Sequence, residues 1–294
     1  MKHLPYGNPH WLKTMTSFLL SLIALVGCQL PVSTTQQALV ALYKTTEGEN
    51  WSRSDDWLSN QPICTWYGVF CTNDRVVELY LPGNNLHGKL PPEIEQLTDL
   101  QRLTLPDNQV TELPPEIGQL SNLYSLDLGG NQLTELPPEI GQLAILRRLV
   151  LTSNLLTELP PEIGRMTSLN WLGLDGNQLT VLPPEIGQMP RLAILLLDGN
   201  QITELPPEIG QMDSLEALML RYNQLAELPP EIGQVATLDE LYLEGNQLMK
   251  IPLEIALLSD LKILDLNGNQ LSKLPKEICQ LPNLQVNPPD LCTD

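Results

Sequence analysis

Basic residues are scarce in this chain. Its 294 residues include 16 Lys and Arg against 35 Asp and Glu, a formal net charge of −19. A surface of that sign repels phosphate backbones and anionic bilayers, so nucleic acid is excluded as a partner and charge-driven membrane contact is disfavoured. Histidine is scarcer: there are three, and only His87 lies beyond the first 28 residues. The sequence also lacks a Gly-rich phosphate loop, a Cys/His cluster at metal-ligand spacing and a G-x-S-x-G elbow. These absences point away from an enzyme, a metal or any other cofactor. Acidic pairs are everywhere on a repeat surface and single out no acid–base site. The apolar run Phe18–Val26 is too short for a spanning helix, which needs about 20 residues.

What is present is periodicity. The stretch Leu123-Tyr-Ser-Leu-Asp-Leu-Gly-Gly-Asn-Gln-Leu-Thr-Glu-Leu-Pro-Pro-Glu-Ile-Gly-Gln-Leu143 recurs with changes along most of the chain. Its clearest marker is one Asn per unit: Asn84, Asn108, Asn131, Asn154, Asn177, Asn200, Asn223, Asn246 and Asn269, spaced first by 24 residues and then always by 23. Such a period is the signature of a solenoid. Each Asn follows a Leu-x-Leu pair, whose period-2 alternation puts both leucines on one face of a strand. One strand cannot bury that face alone, so neighbouring units must stack. The Asn side chain can satisfy backbone groups in the turn that stacking would bury. Its expected role is structural.

The pattern L-x-x-L-x-L-x-x-N-x-L resembles the leucine-rich repeat, and the following L-P-P-E-I-G-Q-L resembles its 23-residue Ras-group and bacterial type. The resemblance covers residues 76–284. It implies an α/β solenoid, curved, with a parallel β-sheet on the concave face, short helical or 3-10 segments on the convex face, and a cap at each end. The expected organisation is a leader over 1–27, an N-terminal cap over 28–75, nine repeats over 76–271 and a C-terminal cap over 272–294.

The leader has Lys2 and Lys13 ahead of the apolar run and ends in Leu25-Val-Gly-Cys28. This resembles a bacterial lipoprotein signal, which implies cleavage before Cys28 and acylation of its thiol. The membrane would then be met through a lipid anchor only. The expected location is the cell envelope, at an outer membrane or cell surface, with a secreted protein as the alternative. Met15 is a second candidate start.

Thr34 and Gln37 have capping-box spacing and open a short helix. The segment from Trp51 to Cys71, with Cys64-Thr-Trp-Tyr-Gly-Val-Phe-Cys71, resembles the N-terminal cap of plant extracellular leucine-rich repeat proteins. Its tryptophans are expected to cover the open end of the core. The first unit carries a plant-type Leu86-His-Gly-Lys-Leu-Pro91, which accounts for the longer first step. At the other end the ladder stops: one period beyond Asn269 falls on Cys292, and the strand leucines before it are replaced by Asn287 and Pro289. Five cysteines then divide into a lipid site, Cys28, and two pairs, Cys64–Cys71 and Cys279–Cys292. Disulfides imply an oxidising compartment.

The strand residues outside the leucine pattern face the concave surface. Over five adjacent units they include Val150, Trp171, Ile194, Leu196, Met219 and Tyr242, with Tyr222 nearby. Gly173 should leave a dip beside Trp171. Asp127, Asp175, Asp198, Glu240, Glu244 and Asp265 form an acidic rim, joined by Arg148 and Arg221. Apolar side chains at solvent-facing positions within a charged rim have the anatomy of an interface. The expected function is non-catalytic recognition of a protein or peptide, one with basic residues to meet the rim. The alternatives are a structural, adhesive or glycan-contacting scaffold, or an intracellular signalling scaffold if the leader is not processed. The sequence leaves the oligomeric state open.

Overall fold

The computed structural model describes residues 33–293. The leader, Cys28 and the acylation expected there lie outside the described residues. Ten strands, from Arg75–Tyr80 to Gln285–Asn287, stack in parallel, and Val69–Thr72 pairs antiparallel with the first to complete a sheet of 11. The register is set by leucines. Leu126, Leu149, Leu172, Leu195, Leu218, Leu241 and Leu264 lie side by side across seven strands. All seven are fully buried, as the alternation requires, because a slip of one residue would turn every leucine to solvent.

The last strand departs from the repeat count. Gln285–Asn287 continues the parallel sheet, with Val286 opposite Leu264 and Asn287 opposite Asp265. The step from Leu264 to Val286 is one residue short of the 23-residue period. Aligning the end of the chain at the full period therefore puts Asn287, rather than Val286, in the core position.

Behind each strand the chain turns at its Asn and returns through a 3-10 helix. Six of these segments read Pro-Glu-Ile-Gly-Gln or Pro-Glu-Ile-Gly-Arg: Pro115–Gln119, Pro138–Gln142, Pro161–Arg165, Pro184–Gln188, Pro207–Gln211 and Pro230–Gln234. The first Pro of each pair is extended and the second opens the helix, where a missing N–H costs nothing. The Glu that follows lies in the first turn, where the exposed N–H groups favour an anion. The Gly has a packing reason. A Cβ at Gly187 would collide with the carbonyl oxygen of Glu208 in the next repeat, and the same holds along the row to Gly233 and Glu254. Glycine thus lets consecutive turns approach backbone to backbone.

The Asn ladder binds the repeats together. Asn154 Nδ2 donates to the carbonyls of Leu128 and Leu151 at 3.0 and 3.1 Å, and its Oδ1 accepts the N–H of Leu133 at 3.0 Å. One amide therefore satisfies buried groups in its own repeat and the one before it. The pattern repeats through Asn269.

Both ends of the core are closed. Helix α1 (Thr34–Thr45) buries Ala38, Leu39 and Leu42. Tyr43, Trp51, Trp57 and Trp66 form a contiguous aromatic cluster with centroids 4.8–5.9 Å apart. The three indoles are buried, and each N–H donates to a backbone carbonyl. A disulfide joins Cys64 to Cys71. The plant-type unit contributes a second, two-stranded parallel sheet, His87–Lys89 with Gln109–Glu112. At the far end a disulfide joins Cys279, in helix α2 (Lys276–Cys279), to Cys292. Cys279 occupies the sequence position where the earlier units place Gly.

Candidate binding surface on the concave face

Three-residue strands present their first and third side chains on one face, and adjacent strands bring these into rows. One row runs Arg148, Trp171, Ile194, Ala217, Glu240, Ile263, and the other runs Val150, Gly173, Leu196, Met219, Tyr242, Asp265. Trp171, Ile194, Leu196, Met219 and Tyr242 are half-buried, apolar and contiguous. They have no covering element among the described residues.

Two expectations are corrected. Val150 is only 7% exposed, so it adds almost nothing to the patch surface. Its register partner is Gly173, and Gly173 does not leave a dip. The indole of Trp171 lies across it: a Cβ at Gly173 would stand 2.5 Å from Cη2. The guanidinium of Arg148 stacks on the same ring, 3.6 Å from its centre. Trp171 is therefore held between Gly173 and Arg148 and stays half-exposed.

The acidic residues divide by what they already hold. Asp198 is committed: Oδ2 accepts Arg221 Nη1 at 2.8 Å and Oδ1 accepts the Arg221 N–H at 2.7 Å. Arg221 also lies 3.9 Å from the centre of the Tyr242 ring and 3.8 Å from Met219 Sδ. One cation thereby fixes Met219 and Tyr242 against the rim. Asp175 Oδ1 accepts the N–H of Asp198 at 2.9 Å. Burial, aided by the charge of Asp198, raises the Asp175 pKa above its ordinary value. Asp127 and Asp265 each accept a backbone N–H two residues on, from Gly129 and Asn267. Glu244 accepts the Tyr222 hydroxyl at 2.7 Å, which raises the tyrosine pKa. Burial, followed by the charge of nearby Glu240, raises that of Tyr242.

Tyr222 stands apart from the strands. It is 59% exposed with φ +55°, at the turn position where neighbouring repeats place Gly176, Gly199 and Gly245 in the same left-handed region. Its ring lies against Gly245.

Sequence reading also missed a row. Arg147, Asn170, Ala193 and Glu216 immediately precede the patch strands and line one edge of the same face. The signal was available, because the first variable position of L-x-x-L falls there in every unit. His87 is exposed and forms a 3.2 Å contact with Glu47 at the cap. No group of three His, Cys, Asp or Glu side chains suited to hold a metal occurs among the described residues.

Leucine-rich repeat family models match three parts of the chain: a leucine-rich repeat region over residues 75–173, and leucine-rich repeats over 190–248 and 260–281. Together they cover more than half of the chain, which belongs to the leucine-rich repeat proteins. The receptor-like kinase TMK4 of Arabidopsis thaliana is 32% identical over 80 residues, 27% of this chain but 8% of the kinase. The kinase relatives are matched over the repeat region only, so this chain spans a small fraction of their length. Among solved structures, the ectodomain of the Arabidopsis thaliana receptor kinase GASSHO1/SCHENGEN3, in complex with Casparian strip integrity factor 2, is similar with a TM-score of 0.69 and 30% identity, over 85% of this chain and 35% of that one. A plant ice-binding protein is similar with a TM-score of 0.62 and 27% identity, over 86% of this chain and 77% of that one. One architecture thus serves ligands as different as a protein factor and ice, and the ligand here must be argued from side chains.

Proposed function

We propose that this protein is a non-catalytic recognition module that binds a protein or peptide on its concave face. The observation that carries the reading is the contiguous patch of Trp171, Ile194, Leu196, Met219 and Tyr242, half-exposed on strands that solvent should have made polar. Its anatomy is that of an interface centre: a half-exposed indole stacked by Arg148, a flexible Met, and a charged rim. The similar receptor ectodomain, solved with its bound factor, supports a polypeptide partner. Basic residues on that partner would meet Asp175, Glu240, Glu244 and Asp265.

The lipobox-like Leu25–Cys28 and the two disulfides support a place outside the cytosol, held at the cell envelope by a lipid on Cys28. Intact mass of the protein isolated from its native membrane tests that part: a diacylated Cys28 is expected, and an unmodified Met1 or Met15 terminus counts against it.

For the binding reading, the full-length chain and an Ile194→Glu/Leu196→Glu variant are compared as baits for exported proteins of the same cell. Capture by the first and loss on the second is the expected result. A partner held equally by both baits removes the concave patch as the site.

A further inference from the structure

One edge of the concave face carries a polar groove of about 530 Å³, lined by Arg147, Ser168, Asn170, Arg191, Ser214 and Glu216. Its residues join the patch directly, since Asn170 and Ala193 precede Trp171 and Ile194 in the chain. The two arginines are exceptional. Arg53, Arg75, Arg102, Arg165 and Arg221 are each ion-paired, and Arg148 is stacked on Trp171. The Arg147 and Arg191 guanidinium groups have no ion-pair or hydrogen-bond partner among the described residues, although the chain has 35 acids for 16 bases.

We propose that this groove receives acidic side chains of the polypeptide that covers the patch. The inference rests on the recognition reading above and adds the chemistry of its partner. A guanidinium fork matches a carboxylate in a planar, two-point fashion. The Ser168 hydroxyl and the Asn170 amide supply neutral donors between the two forks, while the Ser214 hydroxyl beyond Arg191 donates to the Pro190 carbonyl at 2.8 Å. The two arginines are separated by two strand spacings, about 10 Å across the sheet, and are offset by two residues along the repeat, since Arg147 follows Leu146 and Arg191 precedes Leu192, which suits two acidic residues. Glu216 closes the far end and repels a carboxylate there. The opposite edge of the same strands bears Asp175 and Glu244, with Asp198 paired to Arg221 between them, so the net charge of the face differs across the strand direction. A partner with acidic residues on one flank and basic residues on the other is held in one orientation. Exposed ion pairs add little affinity but strong preference among orientations. The occupant is polypeptide because the groove abuts Trp171 and Ile194. Covering these takes apolar side chains, which an anionic polysaccharide lacks.

The test selects random dodecapeptides displayed on phage against the full-length chain. The expected binders carry Asp or Glu beside aromatic or aliphatic residues. The best binder, made synthetically, should lose about tenfold in affinity on an Arg147→Glu/Arg191→Glu variant. Its own Asp→Asn or Glu→Gln version should lose a similar factor on the wild type and nothing further on that variant. Both arginines are exposed, and an unchanged circular dichroism spectrum checks the fold. Binders insensitive to the arginine variant but lost on Ile194→Glu overturn the groove and leave the patch standing. Failure to select any binder overturns both. Binding of polygalacturonate that the arginine variant abolishes, with no acidic peptide selected, also overturns the proposal and gives the groove to a glycan.

Discussion

The indole of Trp171 rests on Gly173, close enough that a Cβ there would stand 2.5 Å from its ring edge. The obstacle is the far end of a side chain, not backbone, so Gly173→Ala should displace the ring and leave the sheet intact. The stack on Arg148 would be lost, about 0.5–1 kcal/mol. Removing a glycine from a strand returns a comparable amount, so stability should change by less than about 1 kcal/mol. The readout is acrylamide quenching of Trp171 emission, taken as the difference from Trp171→Phe in each background. Quenching should rise in Gly173→Ala. Equal quenching in the two backgrounds would mean the ring does not need that glycine.

The Asn ladder gives a second prediction, graded by position. Asn177 donates to Leu151 and Leu174 carbonyls, both at 2.9 Å, and accepts the Leu156 N–H at 3.1 Å. Asn177→Ala leaves these buried groups unpaired, at about 1–3 kcal/mol each before water enters, so a total loss of about 2–4 kcal/mol is expected. Asn269 makes the same three bonds but is half-exposed near the end of the solenoid. Water can replace its amide, and Asn269→Ala should cost less than half as much. Urea unfolding measures both. Equal losses would show that burial is not what makes the Asn essential.

Much of this was legible before any coordinates. The Leu-x-Leu pairs, the Pro-Pro pairs and the Asn period specify strand, outer turn and stacking because each repeats in register, and many weak local signals then agree. At the end of the chain the full period meets Asn287 and Pro289 and the ladder reads as stopped, whereas the sheet continues through Val286, because a period carries no information once the spacing changes by one residue. Within the candidate site, the rows of Trp171 and Leu196 followed from alternation alone. Two things did not. The orientation of Trp171 depends on its own rotamer and on Arg148, so a glycine read as a hollow proved to be a seat. The burial of Val150, beside Gly173 in the register, was not visible in the alternation either. Arg147 was within reach of the same pattern, at its first variable position, whereas Arg191 precedes Leu192 and lies outside it.

Tyr222 presents an exposed aromatic ring from a left-handed turn, φ +55°, where Gly176, Gly199 and Gly245 occur in sister units. A non-glycine residue there is strained, and the ring recovers only surface contacts with Gly245 and Glu244. Tyr222→Gly should therefore leave the melting temperature unchanged or slightly raised. Strain kept without a gain in stability is expected where the side chain serves the surface, so the affinity of a concave-face binder should fall in the same variant. A clear drop in melting temperature would make Tyr222 a structural residue instead.

Asp175 supplies a pH-dependent prediction. Burial raises its pKa above the ordinary 3.8, with the charge of Asp198 adding to the effect and the bond from the Asp198 N–H opposing it. The folded protein then holds this proton at a pH where the unfolded chain has released it. Stability from this group is fully present below the ordinary value and is lost as pH rises through the raised one. At neutral pH the ionised carboxylate is a net burden. Asp175→Asn keeps the carbonyl acceptor for Asp198 and removes the charge, so the variant should be at least as stable as wild type at pH 7. That advantage should shrink as pH is lowered and vanish below the ordinary Asp value, where Asp175 is neutral in both folded and unfolded chains. Thermal melts of the two proteins at matched pH decide it: an advantage that grows on acidification would require a pKa shifted the other way, with the backbone hydrogen bond outweighing burial.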